Sequence, residues 1–359
     1  MVNQYNINQN HLKMKKLVSV IIALCFFALA QAQTPIAMLN HGNTFIPFYG
    51  TDALVNAYND AQEGDIITLS PGIFNGVEIR KPLTIRGAGM MTDTAAGTLR
   101  TTIIGTKKIH NPDTALPMIF EGLYFEGGAY MDNIWNVTFS KCYINSFGAP
   151  FYGGSGIHNG NFVHCIIPSI RAGWLSNCHF YNSVVAEGEA NANWFQNSDG
   201  STILYNCIIQ LQSISSIDNF HSYNSILLLA NENDTTTSMA NTCENHEYCL
   251  GISAYDQFFH PSTNLGSQHL INYSWPSEAF GNGDPHFNRN ISTFTDYNLM
   301  HTVYNNATLV GSDGTELGIY GGAMPFDPKV NNPSIGHITV GGQTNQQGQL
   351  PVNIQIVNE

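Results

Sequence analysis

A short pattern recurs down the first two thirds of the chain and constrains its fold more than any other feature. It reads apolar, any residue, Asn or Gly, small, any residue, apolar. The clearest copies are Phe139-Ser140-Lys141-Cys142-Tyr143-Ile144, Phe162-Val163-His164-Cys165-Ile166-Ile167, Phe180-Tyr181-Asn182-Ser183-Val184-Val185, Leu204-Tyr205-Asn206-Cys207-Ile208-Ile209 and Ser222-Tyr223-Asn224-Ser225-Ile226-Leu227. Phe120-Glu121-Gly122-Leu123-Tyr124-Phe125 and Ile85-Arg86-Gly87-Ala88-Gly89-Met90 are earlier copies with Gly in the third place. The fourth position falls at 123, 142, 165, 183, 207 and 225. A strand-like repeat of about 20 residues cannot bury its apolar face alone, so successive copies must stack as a solenoid. An ordinary β-sandwich is the alternative.

Each copy reads as two short strands joined by one sharp bend. Alternate side chains on a strand face the same side, so Phe139, Cys142 and Ile144 all face inward only if the chain turns at Lys141. Such a bend needs a left-handed backbone, which Gly and Asn tolerate best. Asn182, Asn206, Asn224, Gly87 and Gly122 suit it. Lys141 and His164 suit it poorly, and wider bends are expected at both. Stacking then lines up Cys142, Cys165, Ser183, Cys207 and Ser225 as an inward ladder. Leu175-Ser176-Asn177-Cys178-His179-Phe180 also matches and overlaps the next copy; Cys178 is read as inward on a neighbouring strand of the same coil.

The flanks read differently. Residues 1–32 form an export signal: Lys13, Lys15 and Lys16, an apolar run from Leu17 to Leu29, then Ala30-Gln31-Ala32. Met14 is the more natural start. The apolar run is short for a membrane span, so no membrane insertion is expected once it is cleaved. Residues 33–47 read as a linker and 48–325 as the solenoid. Thr51 is placed to cap a short helix with Ala53, Leu54, Ala57 and Ala61 on one face, closing the end of the stack. Residues 230–290 read as a polar insertion and 326–359 as a C-terminal strand segment.

At this point the chain resembles the secreted bacterial right-handed parallel β-helix proteins of the pectin-lyase-like superfamily. The likeness rests on Gly64-Asp65-Ile66-Ile67-Thr68-Leu69-Ser70-Pro71-Gly72-Ile73-Phe74, on Pro82-Leu83-Thr84-Ile85-Arg86-Gly87-Ala88-Gly89, and on two closing segments. These are Asp296-Tyr297-Asn298-Leu299 and Gly311-Ser312-Asp313-Gly314-Thr315-Glu316-Leu317-Gly318-Ile319-Tyr320-Gly321-Gly322. The resemblance implies an all-β, right-handed parallel β-helix with a short N-terminal capping helix and C-terminal β-strands. It implies no single activity, because the superfamily holds lyases, hydrolases and adhesins.

Charge narrows the function. Only 11% of residues are charged and the net charge is −13. Loss of the three leader lysines makes it more negative. Such a surface repels nucleic acid and anionic membranes. It also disfavours acidic glycans unless Ca²⁺ bridges the two. The resemblance implies that a lyase of this kind uses a Lys or Arg base beside cations that neutralise a substrate carboxylate. Lys141 and Arg171 are the only Lys or Arg between residues 109 and 288. Glycoside hydrolysis needs paired carboxylates; Glu187 and Glu189 share one loop, and no adjacent Asp pair is present. His158, His164, His179 and His221 have no metal-ligand spacing. Cys243 and Cys249 flank His246 in a hydrophilic stretch, where either a local disulfide or, less readily, a metal site is conceivable. Trp135, Trp174, Trp194 and Tyr152 are candidate sugar-stacking residues. The leading expectation is an exported, non-catalytic β-helix that binds a glycan or a cell surface. The alternatives are a polysaccharide lyase or glycoside hydrolase, and a structural surface protein.

Overall fold

In the computed structural model the repeats stack as expected into an all-β parallel solenoid. The structure describes residues 34–92, 99–105, 107–112, 115–148, 156–171, 175–187, 200–211, 220–229, 245–253, 268–271, 310–330, 334–340 and 352–357. The residues read as an export signal lie outside them, as does most of the stretch read as a polar insertion. One long sheet has 11 strands. Its parallel run passes through Ile66–Leu69, Thr84–Arg86, Met118–Glu121, Val137–Ser140, Asn161–Val163, His179–Tyr181, Ile203–Tyr205, His221–Tyr223 and His246–Glu247. A second sheet of 15 strands takes the chain after each bend.

The single-residue bends are left-handed. Their φ angles are 64° at Gly122, 53° at Lys141, 53° at His164, 43° at Asn182, 52° at Asn206 and 51° at Asn224. The wider bends expected at Lys141 and His164 are therefore not found: both adopt the backbone of the asparagines, and both are held there by contacts with residues 324–329. Gly87 is not a left-handed bend either. A Cβ at that position would strike the Gly122 carbonyl oxygen and Leu123, so glycine serves there for close approach between coils. The overlapping match at 175–180 marks a second corner. Asn136, Asn159 and Asn177 have φ of 51°, 56° and 50°. Their amides form a ladder, Asn159 Nδ2 donating to Asn136 Oδ1 at 3.1 Å and Asn177 Nδ2 to Asn159 Oδ1 at 2.8 Å.

Inside, like stacks on like. Phe120, Phe139, Phe162 and Phe180 are fully buried, with ring centroids 4.8, 5.5 and 4.4 Å apart along the stack. Beside them runs the ladder of Cys142, Cys165, Ser183, Cys207 and Ser225, which Cys249 extends. Each Sγ or Oγ donates to the carbonyl two residues earlier, as Cys165 does to Val163 and Ser183 does to Tyr181. Cysteine and serine alternate freely there because both satisfy the same inward-facing acceptor.

The segment read as a linker carries structure. β1 (Ile36–His41) and β2 (Thr44–Tyr49) pair antiparallel, and β1 pairs antiparallel with β3 (Ile66–Leu69). The helix Ala53–Asp60 buries Ala53, Leu54, Ala57 and Tyr58 as its apolar spacing requires. Its N-cap is Asp52 rather than Thr51, and Asp52 Oδ1 accepts from Asn75 Nδ2 at 2.7 Å. The solenoid also continues into the segment read as an insertion. His246–Glu247 and Leu250–Ser253 add to the two sheets, with Tyr248 at the bend at φ 52°. The C-terminal strands Ser334–Val340 and Val352–Val357 pair antiparallel.

Residues 310–330 form a strap that runs backwards across the bends. Gly318 N–H donates to the Asn224 carbonyl, and Asn224 Oδ1 accepts from Ser312 N–H. Asn182 Nδ2 donates to the Ile319 and Gly321 carbonyls at 2.9 and 2.8 Å. His164 meets the Met324 carbonyl, Lys141 meets Asp327, and Val330 lies against Gly122. Leu317, Ile319 and Phe326 are buried. The strap also covers outward apolar residues just past the bends: a Cβ on Gly318 would lie 3.0 Å from Ile226 Cδ1 and 3.4 Å from Ile208 Cγ1.

Candidate functional site

Lys141 has a structural employment. Its Nζ pairs with Asp327 Oδ2 at 3.1 Å and donates to the Lys329 carbonyl, leaving its side chain 16% exposed. An ammonium held this way is not a free base or a free clamp for a substrate carboxylate. His164, one rung on, is equally engaged: Nε2 donates to the Met324 carbonyl at 3.1 Å. Burial lowers its pKa, so the ring is neutral. The two residues that fit the bend rule least are the two that hold the far half of the strap.

Arg171 and Glu187 come together by register. Ile170 pairs with Glu187, which puts the Arg171 and Glu187 backbones on adjacent strands. Arg171 pairs with Gly148, Gly148 with Tyr130, and Tyr130 with Lys108. Lys108, Tyr130 and Arg171 therefore occupy one row across the second sheet. Of Arg171 and Glu187 only the backbone is described, while Glu189, Tyr152, Trp174 and Trp194 lie outside the described residues. Trp135 is half-buried and stacks on His158, centroids 4.0 Å apart and planes within 16°.

Cys249 is not in a hydrophilic loop. It is a buried thiol of the inward ladder, its pKa pushed up to about 12 by burial. His246 is fully buried, its Nδ1 2.8 Å from Ser222 Oγ. Cys243 lies outside the described residues. Among the described residues no group of three or more His, Cys, Asp or Glu is placed to hold a metal ion, Ca²⁺ included. No described helix is long and apolar enough to cross a membrane.

The outer face of the 11-stranded sheet carries a feature the sequence reading missed. Tyr181, Tyr205 and Tyr223 pair in register on neighbouring strands. Their rings stack, centroids 5.4 and 5.1 Å apart and planes within 6° and 15°. His179, Ile203 and His221 form the next column in the same register. All six are half-buried, as expected for strand residues facing solvent. The rungs before them present Thr138, Ser140, Asn161 and Val163. Among the described residues no Lys, Arg, Asp or Glu thus projects from this face between Glu121, which is paired with Arg86 at 3.1 Å, and Glu247. Burial, then the neighbouring Tyr205, raises the Tyr181 pKa; burial, then Glu247, raises that of Tyr223. Both phenols keep their protons well into the alkaline range. The signal was in plain sight: Tyr-Asn occurs three times in the repeat, with Tyr one place before the bend and so facing outward.

No family model matches the sequence, and no curated protein or solved structure matches it.

Proposed function

We propose that the chain is an exported β-helix of the pectin-lyase-like kind whose sheet face binds a neutral glycan, free or on a cell surface, without cleaving it. The observation that carries this reading is the uncharged stretch of that face between Glu121 and Glu247, which bears Tyr181, Tyr205 and Tyr223. Hydroxyls and aromatic edges without fixed charge suit a polymer of neutral sugars, which offers hydroxyls and C–H surfaces in return. The engagement of Lys141 with the strap removes one cation a lyase would need. The leader at residues 1–32 supports export, and the closing motif within the strap supports the superfamily.

A lyase is the second reading, favoured by the row of Lys108, Tyr130 and Arg171 with Glu187 on the next strand. One experiment separates the readings. The purified chain is incubated with neutral and acidic polysaccharides, following retention and the release of unsaturated or reducing ends. Retention of a neutral polymer without new ends is expected. New ends would establish catalysis instead, and neither retention nor cleavage would leave a structural role.

A further inference from the structure

We propose that the tyrosine face takes a linear, uncharged polysaccharide running along the stacking direction, held by phenolic hydroxyls and ring edges rather than by ring faces. This rests on the glycan-binding reading and specifies its site and chemistry. Protein aromatics commonly meet sugars face-on, but here both faces of the central ring, and one face of each outer ring, are already used. Tyr205 is sandwiched, with centroids 5.4 Å from Tyr181 and 5.1 Å from Tyr223 and planes within 6° and 15°. What remains outward is one ring edge and one hydroxyl per rung, at the spacing of the strands themselves.

That geometry sets the ligand's direction. A polymer lying along a strand meets a single tyrosine before the bend. A polymer crossing the strands meets three hydroxyls in sequence, with His179 and His221 offering ring nitrogens in the adjoining column. The strap already runs across the rungs at the neighbouring bend row, bonded to Asn182 and Asn224, and so borders the tyrosine column on one side. Charge sets the class. Between Glu121 and Glu247 the described face has no cation to pair with a uronic acid or a sulfate, and Glu247 beside Tyr223 and the chain's net charge of −13 both repel polyanions.

The test is affinity electrophoresis of the full chain through hydroxyethyl cellulose, mixed-linkage β-glucan, xylan and polygalacturonate, for wild type and for the triple variant Tyr181→Phe, Tyr205→Phe, Tyr223→Phe. Phenylalanine keeps the ring stack and removes only the hydroxyls, and an unchanged thermal midpoint verifies the fold. Each lost hydroxyl is expected to weaken binding roughly threefold to tenfold, so the triple variant should lose retention by a neutral polymer at least tenfold. If wild type is retained and the Phe variant is retained equally, the site assignment is wrong while glycan binding stands. A Tyr205→Ala variant that loses binding where Tyr205→Phe does not would restore face-on stacking. Preference for polygalacturonate overturns the neutral class. Retention by none of the four defeats both this inference and the reading beneath it.

Discussion

At Lys141 two local energies oppose each other. A left-handed backbone costs a β-carbon-bearing residue roughly 1 kcal/mol or more, and Asn less. The ion pair with Asp327, whose side chain is 47% exposed, returns only about 0.5–1 kcal/mol after solvent screening. Lys141→Asn should therefore leave the thermal midpoint nearly unchanged while freeing the far half of the strap. Limited proteolysis should find faster cleavage near 323–329 in the variant than in wild type. His164 adds a pH dependence. Its folded pKa is depressed by burial, which outweighs the Met324 carbonyl bond, and by Lys141; Asp327 is the other charged group that faces it. Stability from the neutral ring is therefore present above the ordinary histidine value and lost as pH falls through the lowered one. Protonation would also place a proton on Nδ1, which is buried without a partner. Melting curves between pH 7 and pH 4 should fall more steeply for wild type than for His164→Asn, which keeps the bend but does not titrate. The sequence flagged both residues as misfits without explaining them, because their partners lie 186 and 160 positions away and no periodicity links the two.

Strands and corners were the legible part. Apolar alternation located the rungs from Ile66 to Leu227, and the Cys/Ser ladder was read in its correct register. The Asn136, Asn159 and Asn177 corner was visible only as an overlapping match, since it occurs in three coils and its spacing shifts with loop length. β1 and β2 were missed because a short hairpin with no repeat partner looks like a linker. The polar character around residue 246 hid a further coil, whose bend carries Tyr248 in place of Asn. Phe162 is the element-scale test of stacking. It sits between Phe139 and Phe180 with planes within 4° and 9°. Phe162→Ala should cost about 3–5 kcal/mol, read as a lowered denaturant midpoint. Cys165→Ser on the same rung should be nearly neutral, because Ser183 and Ser225 already occupy that ladder.

Across the whole molecule the strap decides which surfaces reach water. It covers Ile208 and Ile226, which point away from the core and are nonetheless 0% and 1% exposed. A chain ending before Val310 should keep the coils yet expose this apolar row, giving dye binding and self-association that the full chain lacks. The candidate site was less legible than the fold for a related reason. Catalytic expectations followed residue type along the sequence, while the strap withdraws Lys141 from service and the stacking gathers three ordinary tyrosines into one surface. The direction of the strap has a consequence for biogenesis. Coils can stack as they emerge from a ribosome or a translocation pore, but the bends at Lys141 and His164 wait for residues 324–329. Until those arrive, two strained corners stay uncapped and open to proteases. A segment made 160 to 186 positions later thereby seals corners laid down early in synthesis.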